Sequence, residues 1–182
     1  MLGGFMTIAN GKLEIRIATS DDINTLSLLG RDTFTESYGP FNTPLDLARH
    51  IEQTYSPAVI RETLEDDSQA YLIAQVDHAP AGFGLLRSGP FPDAILAKKP
   101  FKLQQLYVLK VYQRLQLGSR LIDALVELAV GMGGDVIWLT VWERADWACR
   151  FYQRVGFQAV GKVDFRLGSS NQTDILMTKT LR

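Results

Sequence analysis

The sequence is poor in the residues that build covalent or metal scaffolds. It has one cysteine, Cys149, and two histidines, His50 and His78. A lone thiol cannot close an internal disulfide and has no second cysteine with which to hold zinc. Long apolar runs are missing too. The most hydrophobic helical stretch, Leu117 to Met132, is broken by Arg120, Asp123 and Glu127, which excludes a membrane span there. Neither G-x-x-x-x-G-K-[ST] nor G-x-G-x-x-G occurs, which argues against a P-loop kinase and a nicotinamide enzyme. The N-terminal MLGGFMTIANGK has no basic start and no apolar core of useful length. Residues 1–12 are therefore expected to be a flexible end, with Met6 a candidate start, and the protein to be cytoplasmic.

Net charge is nearly absent as well, at −1, which argues against general nucleic-acid binding. The distribution is more informative. Between Ser20 and Asp67 ten acids face three arginines, whereas Lys98 to Arg120 holds six bases and no acid. Such clustering is ordinary on solvated faces; the sharper reading places an anionic ligand in the second region and a cationic one near the first.

What is present is enough for a folded domain. With 182 residues the chain can bury roughly two thirds of its unfolded surface. LEIRIA (Leu13 to Ala18) alternates like a strand, and Ser20 is placed to cap a helix carrying Ile23, Leu26, Leu29 and Phe34 on one face. Thr43 and the Ser56-Pro57 pair start two further helices. AYLIAQV and AGFGLLRSG flank DHAP as a hairpin, FKLQQLYVLK is the next strand, and the apolar DVIWLTVWE is expected to be central. ADWACRFYQRVG reads as a helix with Gly156 just past its end, followed by two strands joined by the loop GSSNQ. The order predicts an α/β fold, a mixed and mostly antiparallel sheet with helices on both faces, as one domain over residues 13–182.

The stretch YVLKVYQRLQLGSRLI, from Tyr107, carries the chemistry. A strand gives way to a polar turn and then a helix beginning near Gly118, whose first amides have no partners in the helix. Free donors and the positive end of the helix dipole attract phosphate, and Arg114 and Lys110 add charge beside them. Many strand-turn-helix junctions share these features and bind nothing.

Downstream, VWERADWACRFYQRVGF completes a pattern. LYVLKVYQRLQLGSRLI resembles the acetyl-CoA motif of the GNAT acetyltransferase superfamily, and FYQRVGF resembles its following helix and strand. The tail VWER to QTDILM, with DTFTESYG and PLDLARHIEQTYS, looks most like the spermine/spermidine acetyltransferase group. The resemblance implies an N-acetyltransferase with acetyl-CoA as co-substrate and no metal. It assigns Leu106, Tyr107 and Val108 to the thioester and pantetheine arm, and Gln113, Arg114, Leu115, Gln116, Leu117, Gly118 and Ser119 to the pyrophosphate. Ala145 stands where the family has an asparagine near the pantetheine. Tyr152 would protonate the departing thiolate, and a tyrosine, ordinarily titrating near ~10, holds that proton at neutral pH.

Departures accompany the matches. Gln116 replaces a glycine, so the left-handed conformation is expected to be costly there. Lys102 and Gln104 occupy the strand that often supplies a glutamate base. Glu143 is the next candidate base, while Glu36, Tyr38, Asp46 and Trp142 are candidates for binding the amine. For each acid alone a solvated surface carboxylate is the ordinary reading. His50 and His78 are expected at the surface, Cys149 as a buried small hydrophobe, and Trp138, Trp142 and Trp147 in core or rim packing. An exposed edge beside Asp146 to Val160 leaves room for a homodimer. The reading is acetyl transfer to a small primary amine, a polyamine foremost. The rivals are amino acids or protein N-termini as acceptors, a CoA-binding domain without catalysis, and a purely structural domain.

Overall fold

A computed structural model of the chain describes residues 6–8, 11–167 and 170–181. The elements run β1 (Met6–Ile8), β2 (Gly11–Ile17), α1 (Ile23–Tyr38), α2 (Pro44–Tyr55), α3 (Pro57–Glu65), β3 (Gln69–Val76), β4 (Ala79–Ser88), β5 (Pro100–Val108), α4 (Leu117–Gly131), β6 (Val136–Trp142), α5 (Asp146–Arg154), β7 (Gln158–Leu167) and β8 (Ser170–Thr180). The strands are hydrogen-bonded in the order β1-β2-β3-β4-β5-β6-β8-β7. The β1–β2, β2–β3, β6–β8 and β7–β8 pairs are antiparallel and β5–β6 is parallel. This is the mixed, mostly antiparallel α/β architecture expected, with the apolar β6 in the interior of the sheet. No described helix is long and apolar enough to cross a membrane.

The chain divides into two compact units, Met1–Leu86 with Gln105–Leu125, and Arg87–Gln104 with Val126–Arg182. In the first, α1 turns Leu26 and Leu29 into a core shared with Tyr55, Ile60, Tyr71, Ile73 and Phe83. The helix entrance differs from expectation. Thr19, not Ser20, is the capping residue of a 3-10 turn over Ser20–Asp22 that leads into α1. Its N–H donates to the Asp22 carboxylate at 2.9 Å, and Arg16 grips the same carboxylate through two bonds of 2.7 and 2.8 Å. Thr43 caps α2 by accepting from the Asp46 N–H, as expected. Ser56 occupies the cap position of α3, but its side chain makes no capping bond.

His50, expected at the surface, is half-buried: it stacks on Phe34 with ring centroids 4.1 Å apart, and burial pushes its pKa down. The β3–β4 hairpin turns on Asp77 and His78 alone, both at positive φ. Two left-handed residues match the strands' twist, the usual geometry of a two-residue hairpin.

In the second unit Ile95, Val136, Trp138 and Leu176 form the core. α5 ends as predicted, with Gly156 in the left-handed region at φ +93° just beyond it. Trp147 is 52% exposed, at the rim rather than in the core. The loop expected at GSSNQ is shorter, because Ser170, Asn171 and Gln172 pair with Leu167, Arg166 and Phe165. Gly168 and Ser169 lie outside the described residues, as do residues 1–5, 9 and 10 of the N-terminal segment expected to be flexible, whereas Met6–Ile8 pairs with Gly11–Leu13.

Candidate active site

In the first unit, β5 delivers the chain to the polar turn. Leu109 N–H donates to the Ala81 carbonyl at 3.0 Å, and the Gln113 side-chain amide donates to the Val108 carbonyl at 3.1 Å, closing the strand end. A 3-10 turn over Lys110–Leu115 follows, and Gln116 then adopts φ 57°, ψ 17°. Gln116 thus takes the left-handed conformation that is costly for a residue with a side chain. It lets the chain reverse into α4, at a cost of about 1–2 kcal/mol for a residue with a Cβ. Gln116→Gly is expected to raise stability by roughly 0.5–1 kcal/mol once the looser unfolded chain is subtracted. Urea unfolding checks this; a loss of stability would show that the glutamine side chain is held by something worth more than the strain.

Beyond Gln116 the first intrahelical bond runs from Arg120 N–H to the Gln116 carbonyl at 3.1 Å. Among the described residues the amides of Leu117, Gly118 and Ser119 have no acceptor. Leu117 is fully buried and anchors the helix start, while Gln113, Arg114 and Gln116 are exposed around it. Three amides at the positive end of a fifteen-residue helix, with a guanidinium beside them, form a donor set suited to a pyrophosphate.

The wall formed by Leu106, Tyr107 and Val108 is half-buried. Tyr107 packs on Phe83 (5.7 Å between centroids) and Phe34 (6.4 Å), and its hydroxyl is hydrogen-bonded with that of Tyr55, whose own pKa burial raises. Gly82 on β4 is pressed against this wall: a Cβ there would lie 2.6 Å from the Tyr107 carbonyl oxygen.

The candidate amine-binding acids of this unit have other partners. Glu36 accepts from the Lys110 N–H at 3.0 Å, so α1 holds the start of the turn. Asp46 accepts from the Thr43 hydroxyl at 2.7 Å and lies 3.9 Å from Arg49. Tyr38 lies at the end of α1 with its ring 4.9 Å from Phe34.

In the second unit, Glu143 follows β6 and pairs with Lys162 at 3.1 Å. Ala145 is 2% exposed, and its N–H donates to the Trp142 carbonyl, which is half-buried at the end of β6. Tyr152 lies on α5 between Phe151 and Phe157, at centroid distances of 5.3 and 5.6 Å. Cys149 is half-buried rather than buried, with its thiol pushed up in pKa by burial. A groove that sequence reading missed is lined by Arg87, Ser88, Gly89, Pro90, Lys102, Gln104 and Trp138. Lys102 and Gln104 stood out in the sequence only as lacking a carboxylate, and nothing linked them to Arg87.

A model of the acetyltransferase (GNAT) family matches residues 32–157, more than half of the chain. The chain belongs to this family. Among curated GNAT relatives, an uncharacterised N-acetyltransferase of Lactobacillus delbrueckii subsp. lactis is 26% identical over 160 residues, covering 88% of this chain and 92% of that protein. One from Mycobacterium bovis is 29% identical over the same length, covering 88% and 98%. The fold is similar to that of the PaiA N-acetyltransferase from Thermoplasma acidophilum in complex with coenzyme A, with a TM-score of 0.73, 22% identity and coverage of 92% and 98%. It is also similar to that of Arabidopsis thaliana NAA60 in complex with a bisubstrate analogue, with a TM-score of 0.71, 16% identity and coverage of 93% and 98%. The protein is therefore a GNAT N-acetyltransferase that uses acetyl-CoA.

Within a GNAT enzyme the Gly82 contact becomes testable. Gly82→Ala forces a methyl group against a backbone carbonyl that cannot swing aside, and is expected to destabilise by about 1–3 kcal/mol. A thermal melt checks this, with unchanged stability showing that β4 and β5 can part without cost.

Proposed function

We propose that the protein acetylates a small primary amine by direct attack on the thioester, with no covalent enzyme intermediate. The observation that carries the reading is the start of α4, where three amides without acceptors follow a left-handed Gln116 inside the span matched to the family. These amides, with Arg114, would hold the pyrophosphate. The residues Leu106 to Val108 would line the pantetheine arm and offer backbone donors to the thioester oxygen, lowering the barrier where negative charge develops.

Acetyl-CoA supplies the activated acyl group. The neutral amine nitrogen forms a bond to the acyl carbon, the carbon–sulfur bond breaks, and Tyr152 gives its proton to the departing sulfur. The nitrogen releases its surplus proton to a base, for which Glu143 is the candidate, directly or through water. Ala145, with its N–H engaged and no polar side chain, would leave Tyr152 and the strand wall to orient the thioester. The acidic stretch from Ser20 to Asp67 favours a polycationic acceptor, hence a polyamine, with Glu36, Tyr38, Asp46 and Trp142 as its candidate contacts. The lone cysteine suits a cytoplasmic compartment.

The test is release of CoA by purified protein given acetyl-CoA with spermine, spermidine, putrescine, free amino acids or an N-terminal peptide, with the acetylated product identified by mass. Turnover on at least one amine is expected. Binding of acetyl-CoA with no turnover on any of them would instead make the protein a CoA-binding domain.

A further inference from the structure

The groove in the second unit has the wrong sign for a polyamine. Its floor is a rung of the parallel β5–β6 pair, Lys102 beside Trp138, with the ammonium 5.0 Å from the centre of the indole. Arg87, near the end of β4, and Gln104, one pleat further along β5, supply the walls, with Ser88, Gly89 and Pro90 at the rim. The groove holds about 130 Å³ of space, room for a small group such as a carboxylate.

Its charges are unusual. Lys102 is half-buried, and Arg87 is close enough to disfavour its protonation further. Among the described residues neither cation has a carboxylate within ion-pairing distance. Asp174 on β8 acts on Lys102 only from farther off and accepts a hydrogen bond from Thr140. Two cations held together beside an indole, with one remote counter-charge, are stabilised by an anion entering between them. Neither Lys102 nor Arg87 is among the residues assigned to the coenzyme, so the anion is assigned to the acceptor.

We infer that the groove binds a carboxylate carried by the acceptor, through Lys102 and Arg87, so that the enzyme prefers an amino acid to the amine that lacks its carboxylate. This rests on the acetyltransferase reading and departs from the polyamine that the acidic stretch favours, so the same assay decides between the two acceptor classes. The matched pairs lysine with cadaverine and ornithine with putrescine differ only in that group.

The expected result is a kcat/KM for the amino acid at least about tenfold above that for its decarboxylated partner, the value of one charge-assisted hydrogen bond. In Lys102→Met that ratio falls about tenfold, while acetyl-CoA affinity, measured by calorimetry, is retained and reports an intact fold. A wild-type ratio of one or less, or a ratio unmoved by Lys102→Met with acetyl-CoA still bound, overturns the inference. If no amine is acetylated, the acetyltransferase reading fails by itself. Calorimetry with Nε-acetyl-lysine and N-acetylcadaverine then decides the groove alone: Lys102-dependent binding of the acid supports it, and equal or absent binding of both overturns it.

Discussion

Tyr152→Phe is expected to lower kcat by about 10²- to 10⁴-fold, the usual worth of a positioned proton donor. The Tyr152 ring packs edge-on against Phe151 and Phe157, and phenylalanine keeps both contacts while removing only the hydroxyl. Fold and acetyl-CoA affinity should therefore stay close to wild type, and the loss should fall on the chemical step, lowering kcat and kcat/KM together. Steady-state kinetics with calorimetric acetyl-CoA binding give the answer. A kcat within about threefold of wild type would remove Tyr152 from the proton path.

The second large effect is on stability. Asp22 is 6% exposed and accepts two bonds from Arg16 and one from the Thr19 N–H. Asp22→Ala leaves both donors without their acceptor at the entrance of α1. A fully buried pair broken in this way costs about 3–5 kcal/mol; because water reaches Arg16, about 3 kcal/mol is expected. Chemical denaturation measures it, and a loss below about 1 kcal/mol would mean that solvent replaces the carboxylate.

Acid should reproduce part of that loss in two stages. The Arg16 guanidinium, the largest cause, holds the Asp22 carboxyl below its ordinary range, so the unfolded chain binds this proton more readily than the folded one. The resulting stability is complete above the ordinary carboxyl value of ~4 and is lost as pH falls through the lower, folded value. His50 acts earlier. Burial lowers its pKa, so its contribution is complete above the ordinary value of ~6.5 and declines as pH falls below it. Asp174 shifts the other way, so the comparison must be by difference. The stability gap between wild type and His50→Phe should change below pH ~6.5, and that between wild type and Asp22→Ala below ~4. A gap independent of pH in either case would assign that residue a packing role alone.

The fold was legible where the pattern is local and repeated. The alternation of LEIRI, the unbroken apolar run of β6 and the glycine after α5 each state their element within a few residues. The choice between Thr19 and Ser20 was not legible, because TSDD offers two caps of nearly equal quality and Arg16 decides between them by gripping Asp22. His50 was misread for a similar reason: nothing in its own helix announces a stacking partner on α1. The left-handed Gln116 shows that the turn's geometry outweighs residue preference, since α4 must begin with Leu117 buried. Of the candidate site, the turn could be read from a motif, whereas the Arg87–Lys102 groove joins residues from different strands and leaves no spacing to read.

The bond from the Lys110 amide to Glu36 spans 74 residues of sequence. It ties the first turn of the proposed pyrophosphate loop to the end of α1, and exchange of the Lys110 amide hydrogen with solvent reports how firmly that tie holds.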